Sequence, residues 1–299
     1  MVHQINFWNR EKNKIEPELV YGETSLKWAY QTFFGKMLSY YFLSRSFISK
    51  IVGWYYSSGL SKKKIRPFCD RFKIQMEEYE DREYKNFNEF FIRKFKPEKR
   101  NFNTSHYEMP SPVEARVLAY SSVDSKISYP VKGAFLTPEI ILDNKKIAQC
   151  FLGGPLIIAR LCPTDYHRFH YPDDGVLEKE YLVRGALHSV NPVALQSKED
   201  IFATNERKVS ILSTKNFGKL AYVEVGAMCV GRIVQTHKEI KFNKGQEKGY
   251  FLFGGSSVLI FGQKEVWTPS KDLIEKTNER VETFIKIGSV IANRANLKL

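Results

Sequence analysis

Two histidines stand three residues apart in one short polar segment. His167 and His170 lie beside Asp165 in the stretch LCPTDYHRFHYPDDG, whereas the other histidines of the chain are isolated. Imidazoles change charge near neutral pH, so such a pair can supply a general base and a proton donor. The HxxH spacing lacks the intervening helix-borne glutamate of HExxH, so no metal site is predicted. The alternative is one catalytic and one structural histidine, or two surface histidines.

A glycine-flanked serine is the second feature with chemical potential. The segment GGSS, residues 254 to 257, stands between two apolar, strand-like runs. Glycines within a strand pattern indicate a bulge or a sharp turn, where the backbone needs unusual dihedral angles. A serine hydrolase would use GxSxG, but Val258 occupies the place of the last glycine. A hairpin turn is the alternative, and GGSS by itself does not identify Ser256 as a nucleophile.

Short apolar runs punctuated by glycine and proline begin at Pro110 and predict the strands that would position these residues. The runs are ARVLAY, PLIIARL, VSILS, LAYVEVGAMCVGRIV and SSVLIF. Their β-branched and alternating composition is typical of a β-rich body. The closing stretch from Asp272 to Arg294 regains helical character in part.

The N-terminal part has helical periodicity instead. Residues 24 to 58 carry apolar side chains at spacings of three and four, which predicts two helices with a break, and Asn86 to Phe95 predicts another. The first stretch combines aromatic residues (Trp28, Phe33, Phe34, Tyr41, Phe47, Trp54) with cations (Lys27, Lys36, Arg45, Lys50) and precedes a basic cluster (Lys62, Lys63, Lys64, Arg66). Such a face suits an interfacial helix on anionic lipid. The alternative is that the aromatic stripe packs on the core.

Composition narrows the class of partner. The 299-residue chain has 46 basic and 33 acidic residues, a formal net charge of +13, which favours a polyanionic partner. Helix-turn-helix, RNP and zinc-finger patterns are absent from the sequence, so a nucleic-acid partner is not predicted.

The cysteines Cys69, Cys150, Cys162 and Cys229 form no CxxC pair, which is compatible with a reducing compartment. The sequence has neither a bilayer-length apolar run nor a signal peptide, which predicts a cytoplasmic or peripheral protein.

Taken together and in order, several segments resemble those of the phosphatidylserine decarboxylases along most of the chain. They are NEFFIRKFKPEKR (88–100), SPVEARVLAY (111–120), VKG (131–133), GGPLIIARLCPTDYHRFHYPDDG (153–175), HSVNP (188–192), TNER (204–207), VEVGAMCVG (223–231) and KGxEKGYFxFGGSSV (244–258). The helical N-terminal part and the strand-like runs after Pro110 predict an α+β protein. Residues 1–105 would form a mainly helical, membrane-associating region packed on a β-rich catalytic body of residues 106–299.

The resemblance also implies a self-processing proenzyme. Cleavage between Gly255 and Ser256 would give a β subunit, residues 1–255, and an α subunit, residues 256–299, that begins with a pyruvoyl group made from Ser256. This covalent cofactor would decarboxylate phosphatidylserine to phosphatidylethanolamine through a Schiff base. The two fragments would form a heterodimer, with a dimer of heterodimers left open, on the cytoplasmic side of the cell membrane and in contact with its anionic surface.

Site roles follow from the same resemblance. His170 is expected to be the base for cleavage and His167 the helper in decarboxylation. Glu114 stands where the family usually has the aspartate of an Asp-Gly pair, and it is expected to orient the histidine base as a triad member. The rival interpretations are an unprocessed, catalytically silent lipid-binding member of the family, a nucleic-acid-binding protein, and a serine hydrolase that uses Ser256 and His170.

Overall fold

Strands and helices alternate along the part of the chain that the structure, a computed structural model, describes: residues 5–38, 46–123, 136–195, 200–227 and 233–295. The strands are β1 (Asn6–Asn9), β2 (Lys14–Pro17), β3 (Glu108–Pro110), β4 (Ala115–Tyr120), β5 (Leu156–Leu161), β6 (Arg168–His170), β7 (Gly175–Val183), β8 (Arg207–Thr214), β9 (Lys219–Val225), β10 (Ile233–Gln235), β11 (Lys241–Phe242), β12 (Glu247–Phe251), β13 (Ser256–Gly262), β14 (Trp267–Pro269), β15 (Glu282–Ile285) and β16 (Val290–Arg294).

The helices are short. They are α1 (Glu23–Gln31), α2 (Phe33–Leu38), α3 (Ser46–Ser57), α4 (Ile65–Phe72), α5 (Phe87–Phe91), α6 (Pro138–Leu142), α7 (Lys145–Ala148), α8 (Pro192–Leu195), α9 (Ile201–Thr204) and α10 (Lys271–Asn278). Short 3₁₀ helices occupy Gly59–Lys64, Met76–Glu78, Pro97–Lys99 and Gln149–Phe151. The combination of helices and large sheets makes this an α+β protein, as the sequence predicts.

One ten-stranded sheet organises the molecule, in the order β11-β7-β8-β9-β13-β5-β4-β15-β1-β2. Two three-stranded sheets, β10-β12-β6 and β14-β16-β3, accompany it. Strand β13 runs antiparallel to both of its neighbours, with Ser257 opposite Arg160 of β5 and Val225 of β9. All seven residues of β13 are buried, as expected for a continuous apolar run at the centre of a sheet.

The N-terminal region contains strands that its helical periodicity does not predict. Strand β1 pairs in parallel with β15, and β2 forms the antiparallel edge beside it. Both strands are only four residues long, and β2 (KIEP) is largely exposed. Neither strand therefore has the continuous apolar run that indicates a buried strand in a sequence. Residues 5–17 thus belong to the large sheet, and the division of the chain at residue 105 stays a prediction.

The helix predicted over Asn86–Phe95 is shorter in the structure. It begins with the Asn86 side chain, which accepts the Glu89 N–H, and it ends at Phe91. Beyond it the chain pairs with residues 78–80: Lys96 N–H donates to the Glu78 carbonyl, and the Lys94 carbonyl accepts from Glu80 N–H. These strand-like bonds compete with further helical turns, so the sequence-based end at Phe95 is wrong.

Of the three buried clusters among the described residues, two join the N-terminal helices to the rest of the chain. The larger one fills the space around the ten-stranded sheet and includes Ala29 and Tyr30 of α1. The second is aromatic and joins the N-terminal helices to the segment before β13; it comprises Tyr56, Phe68, Tyr84, Phe87, Phe90, Phe91 and Phe253. The N-terminal helices therefore pack against the segment that contains the predicted cleavage position.

Several predicted features fall outside the described part of the chain. They are Tyr41, Arg45, Cys229 and the VKG segment, together with the side chains of Lys27, Lys36, Phe47 and Lys50. Within the described ranges, no helix combines the length and the apolar character needed to cross a bilayer.

Candidate active site

Ser256 lies at the first position of the central strand β13. It stands opposite Leu161 of β5 and is fully buried. Its Oγ atom has no hydrogen-bond partner among the residues that the structure describes. A buried hydroxyl without a partner loses the hydration that it would have in the unfolded chain, so such groups are rare in native structures and need a physical reason.

Two glycines give the chain its shape just before Ser256. Gly254 has a φ of 147°, a region that residues with a side chain rarely adopt. At Gly255, an added Cβ would lie 3.1 Å from Cγ2 of Val190, in the HSVNP segment. The first glycine therefore permits the backbone conformation, and the second permits close approach of the neighbouring wall.

The residue before these glycines is fixed by the N-terminal helices. The ring of Phe253 lies 4.0 Å from that of Tyr56 and 5.1 Å from that of Phe91, between ring centroids. Its backbone N–H donates to Oδ1 of Asn88 at 2.9 Å. The Asn88 amide nitrogen donates in turn to Ser57 Oγ at 2.9 Å. Helices α3 and α5 thus set the position of the chain two residues before Gly255.

His167 faces this same segment. It is fully buried, its ring centroid lies 3.8 Å from that of Phe91, and Nδ1 is 3.0 Å from the Asp165 carbonyl oxygen. Because a carbonyl can only accept, Nδ1 carries the proton and a neutral ring leaves Nε2 with its lone pair. Burial lowers the pKa of His167 to about 3, and the backbone carbonyls of Asp165 and of Gly254 oppose this shift. The ring is therefore neutral at physiological pH. Only the Asp165 carbonyl is placed for a hydrogen bond with the ring, because Nε2 has no partner among the described residues.

His170 has the same arrangement at a second position. Its Nδ1 lies 2.9 Å from the Gly245 carbonyl oxygen, so Nδ1 again carries the proton, while the buried Nε2 has no partner among the described residues. Burial is the largest influence on the pKa of His170 and lowers it. The ring lies 5.3 Å from Phe102 and 6.0 Å from Tyr166, between centroids. Both histidines thus present an unprotonated Nε2, as a general base requires.

The structure does not connect the predicted triad by hydrogen bonds. Across the described ranges, no hydrogen bond joins Ser256 Oγ to either ring, and none joins Glu114 to His170. The Glu114 carboxylate instead accepts from Arg100 Nε at 2.9 Å, and Arg100 also pairs with Glu78 at 2.8 Å. Burial, the largest influence, raises the pKa of Glu114. The Gly245 carbonyl therefore fixes the His170 tautomer, a role that the family resemblance assigns to the Glu114 carboxylate.

A buried ionic network holds the turn before the histidines. The Asp165 carboxylate accepts from Arg116 Nη1 at 2.6 Å and from the backbone N–H of Cys162 at 2.7 Å. Arg116 and Arg160 both pair with Glu18, whose pKa is about 2: burial opposes the lowering, and the two arginines outweigh it. Arg116 of β4, Arg160 of β5 and Glu18, the residue after β2, are thus connected to the turn, so the segment between β5 and β6 is anchored to the large sheet.

Sequence reasoning missed the residues that hold the site in place. Asn88 and Arg93 lie within the segment NEFFIRKFKPEKR, and Gly245 within KGxEKGYFxFGGSSV, but neither composition nor spacing indicates what they contact. Their inclusion in those segments was the available signal. As for metals, the described residues include no cluster of three or more histidine, cysteine or carboxylate side chains that could hold an ion.

Comparison with known proteins gives a consistent result. The family model for phosphatidylserine decarboxylase matches residues 87–293. Phosphatidylserine decarboxylase proenzyme from Clostridium perfringens is 39% identical over 293 residues, which cover 97% of this chain and 100% of that protein. The proteins of the same name from Clostridium botulinum and Clostridium tetani are each 39% identical, over 96% and 97% of this chain and 98% of their own length. The chain belongs to the phosphatidylserine decarboxylase family.

Proposed function

We propose that this chain is a phosphatidylserine decarboxylase proenzyme that cleaves itself before Ser256 and uses the resulting pyruvoyl group to produce phosphatidylethanolamine. The observation that carries the proposal is the buried Ser256 hydroxyl, which has no hydrogen-bond partner among the described residues and directly follows two glycines in a chain of this family. The residues fit a cofactor made from the chain itself, because Ser256 is fully buried at the first position of β13, a strand paired on both sides.

Self-cleavage begins at the Ser256 hydroxyl. With His170 as the base that the family resemblance implies, Nε2 takes the proton and Oγ attacks the carbonyl carbon of Gly255. The peptide C–N bond breaks as the ester forms, which leaves a free amine on Ser256. Elimination then removes the Ser256 α-proton, breaks the Cβ–Oγ bond and releases Gly255 as a carboxylate. Hydrolysis of the remaining enamine, as its imine tautomer, releases ammonia.

Decarboxylation needs a place for the electron pair that carbon dioxide leaves behind. A pyruvoyl group at the head of β13 supplies an electrophilic carbonyl that accepts this pair. His167 is the proposed proton carrier: its unprotonated Nε2 would take a proton from the substrate's ammonium group and return it to the α-carbon once carbon dioxide has left. The ring of Phe91 packs on His167, and the ring of Phe253 packs on Phe91. Aromatic rings around a buried imidazole exclude water, which strengthens electrostatic interactions within the site.

The two fragments would stay together after cleavage. The smaller fragment, residues 256–299, contains β13, which pairs with β9 and β5 of the larger fragment. It also contains β15, which lies between β4 and β1. The small fragment is therefore hydrogen-bonded to the large one along two strands of the ten-stranded sheet. This arrangement supports the proposed heterodimer of cleavage fragments.

The substrate keeps its acyl chains in the bilayer, so the site must open towards lipid. Large apolar side chains of the N-terminal helices point outwards: Phe33 is 79% exposed, Phe34 70% and Trp54 71%. Lys62, Lys63 and Arg66 follow as exposed cations. These side chains do not pack into the core, and they support peripheral binding to the anionic, cytoplasmic face of the cell membrane.

Ser256→Ala and Ser257→Ala form a matched pair of test variants. Both serines are buried and both hydroxyls lack a partner among the described residues, but only Ser256 follows Gly255. We expect Ser256→Ala to abolish both chain cleavage on a denaturing gel and carbon dioxide release from phosphatidylserine in mixed micelles. Ser257→Ala should still cleave. Cleavage in Ser256→Ala would refute the assignment, and an intact, inactive parent chain would indicate a silent lipid-binding protein.

A further inference from the structure

A buried arginine lies against residues 162–167, the histidine turn that joins β5 to β6. Arg93, two residues after α5, is 1% exposed. Its guanidinium lies over the rings of Tyr79 and Phe90, at 4.5 Å and 4.8 Å from their centroids. Among the described residues, no carboxylate forms an ion pair with it. Burying a guanidinium is costly unless its donors are used, so the groups that do accept from Arg93 indicate what it does.

Four acceptors surround the Arg93 guanidinium. Two are the Phe90 carbonyl, 3.5 Å from Nη1, and the Tyr79 hydroxyl, 3.3 Å from Nη2; the other two are backbone carbonyls of the histidine turn. Arg93 Nη2 donates to the Thr164 carbonyl at 2.9 Å and to the Asp165 carbonyl at 3.3 Å. The Asp165 carbonyl is also the acceptor for Nδ1–H of His167, at 3.0 Å. A carbonyl oxygen has two lone pairs and can accept both bonds. One oxygen atom therefore connects the cation of the N-terminal region to the proposed catalytic ring.

We infer that Arg93 is a positioning residue that acts through the Asp165 carbonyl to hold His167 in its Nδ1–H tautomer. In this tautomer Nε2 is unprotonated and faces residues 253–256, the cleavage segment. This inference rests on the proposed function, in which His167 moves a proton at Nε2. In the other tautomer, Nε2 would carry a proton and could not take one up.

The charge of Arg93 works in the same direction as its geometry. A cation near an imidazole disfavours the imidazolium form. Burial is the main cause of the lowered pKa of His167, and Arg93 lowers that pKa further. Lysine would keep the charge but not the planar fork, since an ammonium cannot hold two carbonyls in the guanidinium geometry. Arg93→Lys therefore separates the contribution of charge from that of orientation.

The first measurement is the tautomer itself. Nitrogen-15 NMR of histidine-labelled, uncut Ser256→Ala chain, with a His167→Asn spectrum for assignment, should show His167 protonated at Nδ1 at neutral pH. Adding Arg93→Met should produce a population protonated at Nε2. A parent ring protonated at Nε2 would overturn the inference, whether or not the methionine variant folds. An unchanged tautomer in a folded Arg93→Met chain would also overturn it.

The second measurement is the rate in otherwise unsubstituted chains, expressed per cleaved chain. Loss of a group that orients a catalytic side chain typically reduces activity roughly 10- to 100-fold. We expect kcat to fall by this factor in Arg93→Met, with KM nearly unchanged. Arg93→Lys should recover part of the loss. Arg82→Met is the matched control, because Arg82 also lies over a ring, that of Tyr84, but is exposed; its kcat should not change.

The two results separate this inference from the proposed function. If the parent chain stays uncut and inactive, the proposed function fails, whereas the tautomer measured in the uncut chain still tests Arg93. If the parent is active and Arg93→Met retains its kcat and its tautomer, the proposed function stands and the role of Arg93 is refuted. If Arg93→Met does not fold, Arg93→Lys replaces it. A kcat and a tautomer equal to those of the parent in Arg93→Lys would then refute the role of Arg93.

Discussion

At the scale of single residues, the imidazoles of His167 and His170 are each oriented by a backbone carbonyl and not by a carboxylate. His170 donates to Gly245 and His167 to Asp165. Carbonyls fix a tautomer without adding a negative charge, so they do not stabilise the imidazolium as strongly as a carboxylate would. This combination suits rings that must be neutral before they accept a proton.

The pairing of Glu114 with Arg100 gives a prediction that differs from the triad role implied by the family resemblance. Because the Glu114 carboxylate holds Arg100 and not His170, we expect Glu114→Gln to slow cleavage less than roughly tenfold. Loss of a charged, buried hydrogen bond should lower the free energy of unfolding by about 1.5–3 kcal/mol. Gel kinetics would measure the cleavage, and urea denaturation of the uncut Ser256→Ala chain would measure the stability.

Glu78→Gln is the control for that experiment, because Glu78 pairs with the same arginine but its side chain is 21% exposed, against 8% for Glu114. Its effect on stability should be smaller. A loss of cleavage near 100-fold in Glu114→Gln, with little loss in Glu78→Gln, would place Glu114 in direct contact with the histidine base during the reaction.

The sequence predicts the chemistry of these residues better than their partners. Ser256, His167 and His170 could be chosen because side-chain type and the ordered flanking segments identify them. The carbonyls of Gly245 and Asp165 could not, because every residue has a carbonyl and only the fold determines which ones face a ring. The pairing of Glu114 with Arg100 depends in the same way on tertiary placement.

At the scale of elements, α5 connects the N-terminal helices to the cleavage segment. Its Asn88 side chain joins Ser57 of α3 to the Phe253 N–H, and its Phe91 ring lies on His167. Asn86 begins the helix. Helix α5, five residues long, thus holds the chain before Gly255 in place and covers one face of the His167 ring.

Asn88→Ala tests this connection, with Asn86→Ala as its matched control. Removing the Asn88 side chain frees the Phe253 N–H, and small misplacements of reacting groups can reduce rates about 100-fold. We expect cleavage to slow roughly 10- to 100-fold, measured by the appearance of fragments after cell-free synthesis. Asn86→Ala removes the helix cap, a loss of about 1 kcal/mol, and should cleave at nearly the parent rate. Equal rates in Asn88→Ala and the parent would contradict the account.

The exposed aromatic residues of α2 and α3 predict a membrane-binding face. Burying each large apolar side chain in lipid is worth up to about 1.5–3 kcal/mol, so replacing Phe33, Phe34 and Trp54 with serine should weaken binding to anionic liposomes by more than roughly tenfold in a sedimentation assay. Leu182→Ser with Ile240→Ser is the control, since these residues are 53% and 68% exposed near β7 and β11. Equal binding by the triple variant and the parent would exclude this face.

The predictability of an element depends on how its residues are buried. Strands such as β4, β5 and β13 are almost wholly buried, so their apolar runs are visible in the sequence. Strands β1 and β2 are short and partly exposed, and they are recruited to the sheet by β15, almost the whole chain away. Periodicity cannot reveal such long-range pairing.

At the scale of the whole molecule, the buried neutral histidines make stability depend on pH. The pKa of His167 is lowered from 6.5 to about 3 in the folded chain. In the unfolded chain, the ring takes up a proton as pH falls below 6.5, whereas the folded chain does not. The stabilisation is therefore present above pH 6.5 and is lost as pH falls towards 3, and His170 contributes in the same direction.

Urea denaturation of the uncut Ser256→Ala chain should show this dependence. From the shifted pKa, His167 alone should lower the free energy of unfolding by about 2 kcal/mol between pH 7 and pH 5. His167→Gln should remove that part of the dependence, and His106→Gln, at an exposed histidine, should leave it unchanged. The same pH dependence in His167→Gln and in the parent would show that His167 is not buried as a neutral ring.

The central claim is that Ser256 is converted into a pyruvoyl group, and intact mass spectrometry of the purified protein tests it most directly. We predict two fragments that correspond to residues 1–255 and 256–299, with the smaller one lighter than its serine-headed form by one ammonia and reactive towards hydroxylamine. A single full-length chain, or a smaller fragment that begins with unmodified serine, would contradict it.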